Sequence, residues 1–145
     1  MSTDLVRFIA DLSNRWRSRF SPSRPEHLRL GSRGEKLACR FLRQSGYKVL
    51  YRNFRGRTGG EIDVVCRDGD TLVFVEVKTR ADDEPTPEEQ VNSAKQHQIT
   101  KAGKYYLGRY GTPQPAARFD VVAIIWPSGR EPQIRHTIGA FEATF

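Results

Sequence analysis

Two short runs, Glu61-Ile62-Asp63 and Glu76-Val77-Lys78, set three carboxylates and an ammonium among otherwise apolar residues. Side chains alternate along a strand, so Glu61 and Asp63 share one face, and Leu72, Phe74, Glu76 and Lys78 share one face of the next strand. Asp68-Gly69 between them is a hairpin signal. Closure there sets Phe74 opposite Asp63 and Glu76 opposite Glu61, leaving Asp63 and Glu76 as diagonal neighbours roughly 7–8 Å apart at the backbone. Carboxylates gathered in a partly buried place repel one another and lose hydration unless a proton or a cation compensates. Mg²⁺ meets that need with oxygen ligands, and two carboxylates plus a substrate phosphate oxygen and waters complete its shell. Such an ion stabilises phosphorane charge and lowers the pKa of an attacking water, with Lys78 placed to orient that water or to neutralise developing charge. The plainer reading is a cross-strand ion pair of Glu61, Glu76 and Lys78 at a sheet margin, with Asp63 incidental. Against it stands Val-Glu-Val-Lys inside an apolar strand.

The elements that must position these groups follow from periodicity. A helix is expected from Ser32 to about Ser45, with Leu37, Ala38, Phe41 and Leu42 as its apolar stripe and Gly46 as its stop. Strands are expected around Tyr47 to Arg52, Glu61 to Cys66 and Thr71 to Lys78. Thr86-Pro87-Glu88-Glu89 carries a capping box and a first-turn proline, opening a helix to about Leu107. Phe119 to Trp126 reads as a fourth strand and Gln133 to Ile138 as an edge strand. The order of helix, three strands, helix, strand and edge strand predicts one α/β domain with helices packed on a sheet.

Gly34-Glu35-Lys36-Leu37-Ala38, Gly60-Glu61-Ile62-Asp63-Val64-Val65 and Phe74-Val75-Glu76-Val77-Lys78-Thr79-Arg80 together resemble the YraN-like family of small bacterial proteins. That family is similar to the restriction-endonuclease-like fold with its PD-(D/E)XK signature, and to Holliday-junction resolvases. The likeness covers about residues 32–138. It implies a restriction-endonuclease-like core with a mixed sheet flanked by helices, and a nuclease hydrolysing phosphodiester bonds with Mg²⁺ or Mn²⁺. It makes Asp63 and Glu76 the metal ligands, Lys78 the catalytic lysine and Glu35 an acid that supplements the metal. Glu61 takes a supporting place behind them. Ile62 stands where the signature nominally has proline. Glu35 also fits a capping box with Ser32, which would make it a helix cap instead.

Twenty-four Lys and Arg against seventeen Asp and Glu in 145 residues leave a formal net charge of +7, so a polyanion is the expected partner. Arg52, Arg55 and Arg57 surround a glycine-rich turn, and Lys101 and Lys104 lie at helical spacing with His97; both segments are candidates for gripping nucleic acid, or for plain solvated surface. The resemblance favours DNA over RNA, admits branched DNA, and suggests a homodimer because two cuts need two sites. The alternative function is a non-catalytic nucleic-acid-binding module of the same fold. Residues 1–30 form an expected basic extension and linker before a domain over 31–145. In it Leu5, Phe8, Ile9, Leu12 and Trp16 mark an amphipathic helix able to pack on the domain or contact a partner. Asp120 is expected to pair with a nearby arginine. Cys39 and Cys66 have no ligand-spaced neighbours, no export signal or membrane span is expected, and a reducing cytoplasm fits. Serine-hydrolase, P-loop and dinucleotide-binding patterns are missing from the sequence.

Overall fold

The computed structural model describes residues 26–84, 86–110 and 115–142. In chain order these form α1 (Glu26–Gln44), β1 (Lys48–Arg55), β2 (Glu61–Asp68), β3 (Thr71–Arg80), a 3-10 turn (Pro87–Gln90), α2 (Ser93–Tyr110), β4 (Ala117–Ile125) and β5 (Gln133–Phe141). The five strands make one sheet in the order β1-β2-β3-β4-β5. β3 and β4 are parallel and the other neighbours antiparallel. α2 is the crossover that a parallel pair requires.

The sheet is covered on both faces. α1 presses Ala38, Cys39 and Leu42 onto Val64, Cys66, Val73, Val75, Val122 and Ile124. α2 presses Ile99, Ala102, Tyr106 and Leu107 onto Val65, Phe74 and Phe119. This is why β3 and β4 are apolar on both sides, and why a buried Glu76 in β3 is conspicuous. The architecture is an α/β mixed sheet flanked by two helices, consistent with a restriction-endonuclease-like core. No helix among the described residues is long and apolar enough to cross a membrane.

Three local expectations need correction. α1 does not start at Ser32: it is helical from Glu26, so residues 26–30, assigned above to the linker, are its opening turns, and Ser32 and Glu35 sit in its interior. A capping box needs free N–H groups at a helix start, so Glu35 is no cap. The second helix is two pieces. Glu89 does reach back to the Thr86 N–H, at 3.1 Å, but that box opens only the 3-10 turn. The chain breaks at Val91, and Asn92 restarts it by accepting from the Lys95 N–H at 3.0 Å. The β2–β3 turn lies one residue further on, because Gly69 takes a positive φ of 57° as its first residue and Asp68 pairs with Thr71. Gly46, with φ 91°, ends α1 as expected. The amphipathic helix expected near the N-terminus lies outside the described residues.

Candidate metal and nucleic-acid site

The shifted turn moves every cross-strand partner by two residues and keeps the faces. The ladder runs from Asp68↔Thr71 to Val64↔Val75. One step further Asp63 is level with Glu76, not Phe74, so the two acids are direct rather than diagonal neighbours. Glu61 faces Arg55 on β1 instead of Glu76, and the two form a 3.6 Å ion pair. Where the ladder ends, the Asp63 side chain takes its place: the Val77 N–H donates to Asp63 Oδ2 at 2.8 Å.

This inward turn puts two carboxyls together in a desolvated spot. Glu76 is 5% exposed. Its Oε1 lies 3.2 Å from Lys95 Nζ on the first turn of α2, while its Oε2 is buried without a hydrogen-bond partner. Burial, then the neighbouring Asp63 charge, push the Glu76 pKa up to about 8. Burial also raises Asp63, against the pull of the Val77 N–H. The pair is close enough to share a proton, which would let Oε2 donate to Asp63. Burial works against the Lys95 ammonium, yet Glu76 beside it, with Asp63 and Glu61 behind, leaves its pKa raised.

Glu35 comes from α1. It can do so because Gly34 is buried directly against Thr79 of β3, where a Cβ would overlap the threonine side chain. Burial and then Asp63 raise the Glu35 pKa, while Arg52 and a hydrogen bond from the Asn53 side chain oppose them. Asn53 has a φ of 53°, the left-handed region that asparagine tolerates better than most residues. Lys78 is half-buried two residues beyond Glu76, on the same side of β3 by alternation, and makes no ion pair among the described residues. Among the described residues no group of three or more His, Cys, Asp or Glu forms a ready-made metal cage. What is present is an open pair, Asp63 and Glu76, with Glu35 on its flank. An orphaned acceptor beside a second carboxylate suits a hard divalent ion that keeps waters and takes substrate oxygens for the rest of its shell.

Of the basic candidates, the structure brings two segments together. The Gly56–Gly60 turn lies directly on α2: Gly56 and Gly60 leave no room for a side chain against Ala102 and the Gln98 carbonyl, and Lys101 Nζ sits 3.7 Å from where a Gly59 Cβ would be. Arg57 and Lys101 therefore border one exposed turn, Arg55 leads into it, and Lys104 is exposed further along α2. Arg52 belongs elsewhere, beside Glu35 and Cys39.

Asp120 is fully buried on β4 and pairs with Arg118 at 3.0 Å, as expected. His136 at 2.8 Å and the Gly139 N–H at 3.0 Å also reach it. Cys39 and Cys66 are buried free thiols, and burial pushes Cys66 up to about 12. The sequence assigns no role to Lys95, at a helix start where resolvase-like nucleases often place an accessory polar residue, or to Asn53. Polarity at a helix start and an asparagine within a strand are signals too common to single them out.

A family model described as "Uncharacterised protein family UPF0102" matches residues 34–124. A UPF0102 protein of Geobacter metallireducens is 50% identical over 117 residues, 80% of this chain and 94% of its own length. One from Pelobacter propionicus is 46% identical over 128 residues, covering 86% and 91% of the two chains. One from Symbiobacterium thermophilum is 47% identical over 104 residues, covering 70% and 87%.

Proposed function

The chain belongs to the uncharacterised protein family UPF0102, and from the chemistry of its own site we propose that it is a metal-dependent nuclease acting on nucleic acid, DNA before RNA. Asp63 and Glu76 would hold Mg²⁺ or Mn²⁺, with Glu35 as a supplementary acid. A bound ion would supply charge stabilisation at the phosphate and a bound water of lowered pKa. The chain's own residues do the rest. The Val77 N–H fixes Asp63. Lys78 offers an ammonium to orient a water or to offset charge as it builds on the phosphate. Glu61 keeps Arg55 at the edge of the glycine-rich turn. Arg57, Lys101 and Lys104 hold phosphates without reading sequence. Two buried thiols fit a reducing cytoplasm.

The observation that carries this reading is the buried Asp63–Glu76 pair with its donorless Glu76 Oε2. Calorimetric titration with Mn²⁺ tests it: uptake by the parent protein, abolished in Glu76→Gln, supports the reading, and no uptake overturns it. Cleavage of branched, single-stranded or duplex DNA, or of RNA, should then need Mn²⁺, Asp63 and Lys78. The second reading, a nucleic-acid-binding module without catalysis, has the Lys95–Glu76 ion pair in its favour, since an ammonium already offsets the buried charge. Binding without cleavage on every substrate would select it. Two cuts on a branched substrate call for two copies, which sedimentation on such a substrate would detect.

A further inference from the structure

Four of the five tyrosines gather at one surface far along α2 from the acid pair. Tyr51 stands edge-on to Phe54 at 5.5 Å, Phe54 to Tyr106 at 5.0 Å, and Tyr106 lies 5.0 Å from Tyr110; Tyr105 is 6.0 Å from Phe54. The inner rings belong to the core, but the outer two do not: Tyr51 is 45% and Tyr110 54% exposed. Two large open rings backed by a cluster of edge-on and tilted aromatic rings are more than a scattered exposed residue.

Charge says what would cover them. α2 carries Lys95, Lys101, Lys104 and Arg109 and no acid, and β1 carries no acid and, apart from the Arg52 that lies beside Glu35, the cations Lys48 and Arg55. Arg109 donates to the Tyr110 hydroxyl at 3.1 Å, with its guanidinium 5.6 Å from the ring centre. Open aromatic faces on two elements that carry cations and no acid suit a strand whose phosphates are gripped while its bases stack, and stacking tolerates any base because each has a π-face. The helix that carries the surface also reaches the candidate site. α2 starts at the Lys95–Glu76 contact, passes the glycine-rich turn at Lys101 and ends at Tyr110. From Lys95 to Tyr110 is about 22 Å along the helix, a span of several nucleotides.

We propose that Tyr51 and Tyr110 form a stacking site for unpaired bases, so that the substrate is a single strand, or a single-stranded arm of a branched molecule, laid along α2. This rests on the nucleic-acid reading above and narrows its substrate class. In a duplex the bases are already stacked on each other, and the rings have nothing to receive.

The test is anisotropy of labelled oligothymidylate, about 15 nucleotides long to exceed the span of one such site, against a blunt duplex of equal length. It uses the full chain without divalent metal. Oligothymidylate should bind more tightly than duplex. Tyr110→Ala and Tyr51→Ala should each weaken it about tenfold, with the salt dependence unchanged, and Tyr110→Trp should restore binding. Lys104→Gln should instead lower the log–log salt slope by about one. An oligouridylate showing the same tyrosine dependence also supports the site, since stacking does not read the sugar. Duplex preference, or binding that ignores both tyrosines, overturns it. So does a dimer that Tyr110→Ala splits, because the face then belongs to a second copy. Mn²⁺ uptake that needs Glu76, with binding indifferent to Tyr110, sinks this inference alone. Tyrosine-dependent binding without Mn²⁺ uptake sinks the hydrolase alone.

Discussion

Lys95 Nζ stands 3.2 Å from Glu76 Oε1, tying the first turn of α2 to the one buried acid of β3. The lysine occupies one oxygen of the carboxylate and leaves Oε2 for any other cation. It is part of the site's electrostatics as much as the acids are, and it competes with a metal for the charge of the same carboxylate.

Lys95→Met should therefore tighten Mn²⁺ binding several-fold, read by calorimetry. Lys78→Met should do so less, as that ammonium makes no ion pair among the described residues. Equal affinities for Lys95→Met and parent would show that the ammonium and the ion do not contend for Glu76.

The pH dependence follows from the sign of the shift. Glu76 titrates near the ordinary value of 4.5 when unfolded and near 8 when folded, so folding favours its protonated form. Stability from this group is fully present below about 4.5 and is lost as pH rises through about 8. Thermal melting of the metal-free protein should fall across that window, and Mn²⁺ affinity should rise across it because the ion replaces the proton. In Glu76→Gln the melting point should be nearly flat there, and higher by several degrees on the alkaline side. A parent melting point independent of pH between those limits would contradict the buried pair.

Gly34→Ala puts a methyl group into Thr79. Overpacking of this kind typically removes about 1–3 kcal/mol, which denaturant unfolding would register. The same change pushes α1 off the end of β3 and takes Glu35 with it, so Mn²⁺ affinity should fall too if Glu35 supplements the pair. Stability loss with unchanged affinity would leave Glu35 a bystander.

Asp120 is a control of the opposite kind. Arg118 reaches both its oxygens, at 3.0 and 3.4 Å, and His136 and the Gly139 N–H take the remaining positions, so its acceptor capacity is filled. Asp120→Ala should cost about 3–5 kcal/mol by stranding those donors. The milder Asp120→Asn should leave Mn²⁺ affinity as in the parent.

The faces of the acid pair were legible in the sequence because an even shift of register preserves them. The distance between the acids was not, since it turned on whether Asp68-Gly69 or Gly69-Asp70 forms the turn, and only the backbone preference of Gly69 decides. Glu35 was ambiguous for a similar reason: Ser32-x-x-Glu35 has the spacing of a cap whether or not a helix begins there, and α1 runs through it. Thr86-x-x-Glu89 forms a real box on a single 3-10 turn, because nothing in it says how long the helix will last. The tyrosine surface was invisible, since Tyr51 and Tyr110 are joined, through Phe54 and Tyr106, only when α2 folds back over the sheet.

The β2–β3 hairpin leaves the ribosome before α2 does, and domains are built at about 5–20 residues per second. Asp63 and Glu76 thus emerge ahead of Lys95. Until it arrives, only a proton or an ion from the surrounding fluid can quiet the two acids. The birth of this protein should for that reason be more sensitive to acidity and to free magnesium than its finished form.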